Sequence, residues 1–149
     1  MRQRALRLLA GREHSRAELT RKLDGHASED EIVLVLDALQ NDGLLSDQRF
    51  AASYVRTHAA RLGRSRLAQT LRAKGIATDL ADQELDSQLN QEGQSDELER
   101  ARALWGRKFG SVPVDAREWA RQARFLQFRG FSSEVIRKVL RDAKRADGE

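Results

Sequence analysis

The sequence predicts an all-α protein, a tandem array of three three-helix repeats of helix-turn-helix character. Three observations carry this. Pro113 is the only proline, and the chain is rich in the helix formers Ala, Leu, Arg, Gln and Glu. Apolar segments of helical period are each bracketed by a Ser, Thr or Asp at the start and a Gly at the end. A weak internal similarity also recurs with a period near 50 residues, as stacked helical units produce.

The elements follow in order. The first, 2–11, runs to Gly11. Ser15-Arg-Ala-Glu18 has capping-box spacing, in which serine oxygen and glutamate satisfy free N–H groups reciprocally, and it opens a helix over 15–24. Ser28-Glu-Asp-Glu31 repeats the pattern and opens 29–41, which stops at Gly43. The run Ile32–Leu36 has the composition of a buried strand, but the box before it and its continuation through Leu39 favour helix. Ser46 precedes 47–62, ending at Gly63, and 64–74 ends at Gly75. Thr78 caps 79–91 before Gly93, and Ser95 caps 96–109 before Gly110. Asp115 opens 115–129 before Gly130, and Ser132 caps 133–145.

These nine helices fall into threes. Leu-x-x-x-Gly-apolar occurs at Leu71/Gly75/Ile76 and again at Leu126/Gly130/Phe131, each time followed by a Ser or Thr cap and an amphipathic helix. Leu19 and Leu23 match Leu67 and Leu71 at one constant offset. The repeats expected are 1–43, 44–93 and 94–149, the last with a short charged tail. Each would expose an apolar face that its neighbours cover.

With 40% hydrophobic and 5% aromatic residues against 34% charged, the core must be thin. Net charge is +4, but its sign alternates along the chain. Residues 51–76 carry six basic and no acidic side chains, 77–100 one basic and eight acidic, and 101–145 twelve basic and four acidic. Acid-free basic stretches attract phosphate and acidic surfaces. The candidate binding residues in the middle stretch are therefore Arg56, Arg61, Arg64, Arg66, Arg72 and Lys74. In the last helix Arg137, Arg141 and Lys144 form a stripe opposite Val135, Ile136, Val139 and Leu140, with Lys138 beside it. In the helix before, Arg117, Arg121 and Arg124 share a face with Phe128, while Trp119, Ala123 and Leu126 share the other. Phe128 reads equally as an interaction patch or as packing against a neighbouring repeat. Phe50, Tyr54, His58 and Leu62 lie on one stripe that would suit unstacked bases. With aromatics so scarce, the stripe reads better as repeat core. The acidic 77–100 segment is a solvated face, or one that repels DNA or pairs with basic repeats.

No catalytic chemistry is indicated. His14, His26 and His58 lack metal-ligand spacing, there is no cysteine, and no phosphate-cradling Gly-x-x-x-x-Gly-Lys run occurs. No cofactor or metal is expected. No apolar run approaches the roughly 20 residues of a membrane span. The interrupted N-terminal run makes a poor signal peptide, so a soluble cytoplasmic protein with no membrane partner is expected. From residues alone, this is a basic helical repeat protein for a polyanion or a charged protein surface.

The stretches "GLLSDQRFAASYVRTHAARLGRSRLAQTLRAKGI", "ALRLLAGREHSRAELTRKL", "RARALWGRKF" and "RFLQFRGFSSEVIRKVL" resemble RecX regulatory proteins, in the same order and from about Ala5 to Arg141. The resemblance implies an elongated, curved array of three-helix repeats. It further implies a negative regulator, acting in recombination, DNA repair and the SOS response. Such a protein binds the RecA recombinase filament on single-stranded DNA, directly or through the filament, and inhibits strand exchange, ATP hydrolysis and coprotease activity. A monomer that is not an enzyme is expected. One departure is the connection after Leu23, Asp-Gly-His-Ala, which is shorter than usual in the family. The rival reading is a helix-turn-helix transcription regulator that binds DNA with or without sequence preference. Such a protein concentrates base-reading Arg, Asn or Gln on one recognition helix. Here basic charge is spread over all three units.

Overall fold

The computed structural model describes residues 1–90 and 97–148. Among the described residues there are nine α-helices: α1 (Arg2–Gly11), α2 (Arg16–Leu23), α3 (Glu29–Asn41), α4 (Asp47–His58), α5 (Arg64–Ala73), α6 (Thr78–Leu89), α7 (Glu97–Lys108), α8 (Ala116–Phe128) and α9 (Ser133–Asp147). The one β feature among them is an isolated bridge between Asp24 and Ala27. The all-α class therefore holds, and Ile32–Leu36 is helical. Gly93, Ser95 and the helix ends expected beside them lie outside the described residues.

Local chemistry explains most boundaries. Ser15 and Glu18 form the full capping box of α2. Ser28, Asp115 and Ser132 each accept a hydrogen bond from the backbone N–H three residues on, as Ser46 does from Arg49. The shared Leu-x-x-x-Gly motif gives the same stop twice: Ile76 N–H reaches Leu71 O at 3.0 Å, and Phe131 N–H reaches Leu126 O at 3.2 Å. Gly75 and Gly130 take φ of +83° and +92° to allow it. The short connection after Leu23 is built otherwise, through His26 N–H to Leu23 O and the Asp24–Ala27 bridge.

Four expectations are corrected. The helix expected over 47–62 ends at His58, where a tight turn begins: Arg61 and Leu62 both donate to His58 O. The free carbonyls of this turn find cationic donors instead of further helix. Thr78 is the first residue of α6 rather than its cap, since Ala81 N–H bonds Ala77 O. Gly63 is no left-handed stop. It is required by close packing: a methyl there would stand 2.4 Å from Gly130 O. α9 continues to Asp147 because no glycine interrupts it before Gly148.

The chain forms two compact units, one comprising Met1–Tyr54 and Thr70–Glu84, the other Val55–Gln69 and Leu85–Glu149. The first contains a core of Ala5, Leu19, Leu23, Ile32, Leu36, Leu39 and Leu45. α2 has 8 residues, too few to be stable alone. It forms because Leu19 and Leu23 are fully buried, each worth roughly 2 kcal/mol. The second unit contains a core of Ala101, Leu104, Leu126, Phe131, Ile136, Val139 and Leu140, joined by α7, α8 and α9. Phe50 is buried beside Tyr54, and His58 and Leu62 are half-buried, as core residues would be.

Candidate partner-binding surfaces

In the first unit most cations near α2 are engaged internally. The capping box holds Glu18 almost fully buried. Its oxygens accept from Arg12 at 2.8 and 3.3 Å, from Ser15 N–H at 3.1 Å and from Lys74 at 3.4 Å. Burial pushes this carboxyl up, but the Arg12 and Ser15 hydrogen bonds and the charges of Arg12 and Lys74 outweigh it, leaving a pKa of about 2. Ser15 Oγ donates to Lys74 O at 2.7 Å, and Arg21 donates to Ala73 O at 3.0 Å. These bonds hold the end of α5 against α2. Beside them His14 is buried, with Nδ1 3.0 Å from Arg12 O and Nε2 3.1 Å from Lys22 Nζ. Both bonds suit a neutral ring protonated at Nδ1, and burial, then the charges of Arg12 and Lys22, hold its pKa low. Arg72 is exposed, with no acidic partner among the described residues.

In the second unit the basic residues sort differently. Arg64 is tied down, its guanidinium 2.8 Å from Asp86 and its backbone N–H donating to Glu97 at 2.9 Å. Arg56 donates to Gln88 Oε1 at 3.5 Å. Arg61 and Arg66 are exposed without acidic partners among the described residues. Sequence reasoning passed over Arg100, which is 7% exposed. It donates to Ala59 O at 2.9 Å and Leu62 O at 3.2 Å, and Arg107 donates to Ala60 O at 3.2 Å. A cation there satisfies the carbonyls of the α4 turn and complements the helix dipole. A signal existed: Arg100 is the single basic residue of the acidic 77–100 segment.

On α8, Arg121 pairs with Glu118 at 2.6 Å and lies over Phe109. That hydrogen bond raises the Arg121 pKa and lowers that of Glu118. Arg117 and Arg124 are exposed with no acidic partner among the described residues. On α9, Lys138 pairs with Glu134 at 3.3 Å, and Arg141 lies 3.9 Å from Asp142. Arg137 and Lys144 are without an acidic partner there. Phe128 is 77% exposed, which settles its two readings in favour of an open ring. Trp119, expected on the packed face, is 41% exposed, because the face it shares with Leu126 runs out from the core toward the start of α8.

Two grooves result. One is lined by Arg66 and Gln69 of α5 and by Arg124, Gln127 and Phe128 of α8. Its walls are fixed by backbone packing: Gly63 N–H bonds Arg129 O at 2.7 Å, and a methyl at Gly130 would fall 2.6 Å from Arg66 N. The other sets Pro113, Val114 and Trp119 against Arg137, Arg141 and Lys144 of α9. Both combine cations with exposed aromatic surface and so suit anionic partners. Among the described residues no cluster of His, Cys, Asp or Glu could hold a metal ion, and no helix is long and apolar enough to cross a membrane.

Family profiles match in three consecutive blocks: the first three-helix domain of RecX over residues 2–39, the second over 46–85 and the third over 95–140. The chain is 54% identical over 139 residues to the regulatory protein RecX of Leptothrix cholodnii, covering 93% of this chain and 85% of that protein. It is 44% identical over 149 residues to that of Ralstonia nicotianae, covering 98% and 91%. A crystal structure of a regulatory protein RecX superposes with a TM-score of 0.76 at 28% identity, covering 93% of this chain and 70% of that one. The chain belongs to the RecX family.

Proposed function

We propose that this RecX-family chain is a negative regulator of the RecA recombinase. It binds the filament that RecA forms on single-stranded DNA and inhibits strand exchange, ATP hydrolysis and coprotease activity. The observation that carries the reading is the match to RecX domains in all three blocks of the chain. The relatives' name, regulatory protein RecX, supports a regulator and not an enzyme. The cations without acidic partners supply the physics. Arg61, Arg66, Arg72, Arg117, Arg124, Arg137 and Lys144 offer positive charge that no acid among the described residues neutralises. A filament groove presents DNA phosphate and acidic protein surface together, and such charges complement both. A chain lodged there blocks subunit addition or favours subunit loss. It works as a cytoplasmic monomer without a cofactor.

The test is DNA-dependent ATP hydrolysis by RecA on single-stranded DNA, with this protein titrated below one copy per RecA. Strong inhibition at ratios too low to coat the DNA is expected. No effect until the strand is saturated would instead make the protein a DNA-binding regulator of the helix-turn-helix kind.

A further inference from the structure

We infer that the groove between α5 and α8 binds one unpaired nucleotide of single-stranded DNA. The base stacks on Phe128, and Arg66 and Arg124 hold the flanking phosphates. Phe128 is the phenylalanine left open: Phe50 and Phe131 are 5% and 3% exposed, whereas Phe128 is 77% exposed. It shares the groove with two arginines that have no acidic partner among the described residues, and none of the described residues lining the groove is acidic. The remaining walls carry Gln69 and Gln127, whose amides both donate and accept, as base edges require. Single-strand binders use this combination: a cationic track with an aromatic platform.

The second groove differs in the way that a protein segment would require. It has the apolar wall of Pro113, Val114 and Leu140, and Asp115 beside its cations. Rigidity also favours the first groove. Gly130 takes φ +92° and packs directly on the Arg66 backbone, so α5 and α8 present their backbones in one arrangement before any ligand arrives. The choice of DNA over RNA rests on the RecA-filament reading above; the capture of an unpaired base does not.

The experiment is fluorescence anisotropy of the full chain with a labelled oligothymidylate and with an abasic strand of equal length. The wild-type chain is expected to prefer the strand with bases roughly tenfold. Phe128→Ala should abolish that preference while leaving affinity for the abasic strand and the thermal midpoint unchanged, and Phe128→Trp should keep it. Arg66→Ala and Arg124→Ala should weaken both strands alike, each lowering the salt slope by about one. Equal binding of both strands by the wild type, or a preference that survives Phe128→Ala, overturns the inference. So does polyglutamate binding that depends on Phe128 while oligothymidylate binding does not, which would assign the groove to an acidic protein. Tighter binding of oligouridylate overturns the choice of DNA. The filament reading fails separately: a wild-type chain with the base preference but no effect on RecA ATP hydrolysis keeps the groove and loses the filament.

Discussion

At the C-terminal end of α5, Lys74 lies 3.4 Å from the buried Glu18 carboxylate and its carbonyl accepts from Ser15. At the N-terminal end, Arg66 has no acidic partner among the described residues, and backbone contact with Gly130 seats the helix instead. Both residues belong to one acid-free basic stretch, and sequence assigns them the same role. The structure separates them by what lies within reach. A cation beside a buried carboxylate is a part of the fold; a cation seated by glycine packing stays available to a partner. Net charge in a segment therefore overstates its binding capacity until the internal pairs are removed from it.

The comparison breaks most sharply at Gly130. Gly130→Ala forces a left-handed φ on a residue with Cβ, costing about 1–2 kcal/mol. It also drives a methyl into the Arg66 backbone, costing about 1–3 kcal/mol. A loss of roughly 4 kcal/mol by urea unfolding is expected; a loss below about 1 kcal/mol would mean that this contact does not seat α5. Next comes Glu18→Ala, which removes half of the capping box and strands Arg12, Lys74 and the Ser15 N–H. It should cost about 3 kcal/mol in the same measurement.

Charge reversal sharpens the contrast between the two ends. Lys74→Glu sets a second carboxylate against Glu18 and should destabilise by roughly 1–2 kcal/mol. Arg66→Glu should change stability by less than about 0.5 kcal/mol yet weaken DNA binding. Equal stability losses would mean that both ends of α5 are held by charge alike.

The last effect is that of pH. Both Glu18 and His14 have folded pKa values below their ordinary ones, so the unfolded chain binds more protons and acid favours unfolding. The His14 contribution is complete above its ordinary 6.5 and is lost as pH falls through its depressed folded value. The Glu18 contribution is complete above 4.5 and is lost as pH falls toward about 2. His58, also held low by burial, acts in the same direction. The urea midpoint should decline in two stages on acidification, the upper stage shrinking in His14→Gln and the lower in Glu18→Gln. A midpoint that does not change from neutral pH to about pH 3 would contradict the buried assignments.

Legibility followed distance along the chain. Ser15, Ser28, Ser46, Asp115 and Ser132 cap helices as read, because each bonds an N–H three residues on. The repeated Leu-x-x-x-Gly motif was legible for the same reason, both stops being closed within six residues. Contacts such as Gly63 with Gly130, Arg100 with Ala59 and Glu18 with Lys74 join residues separated by tens of positions. The sequence marks none of these partners, although Arg100 stands out as the one base of its acidic segment. Of the candidate cations, Arg64, Lys74, Arg121 and Lys138 are engaged with acids of their own unit, while Arg66, Arg124, Arg137 and Lys144 have no acidic partner among the described residues.

By itself, then, the sequence determined the helical class, the repeat pattern, most caps and stops, and the family. These depend on intrinsic propensity and on bonds closed within one turn. Tertiary structure alone decided which arginines and lysines remain open, that Phe128 faces solvent, and that α4 ends at an arginine-capped turn. Those outcomes depend on which acid, carbonyl or backbone atom from a distant segment comes within about 3–4 Å, where Coulomb attraction and hydrogen bonding become strong enough to hold a side chain.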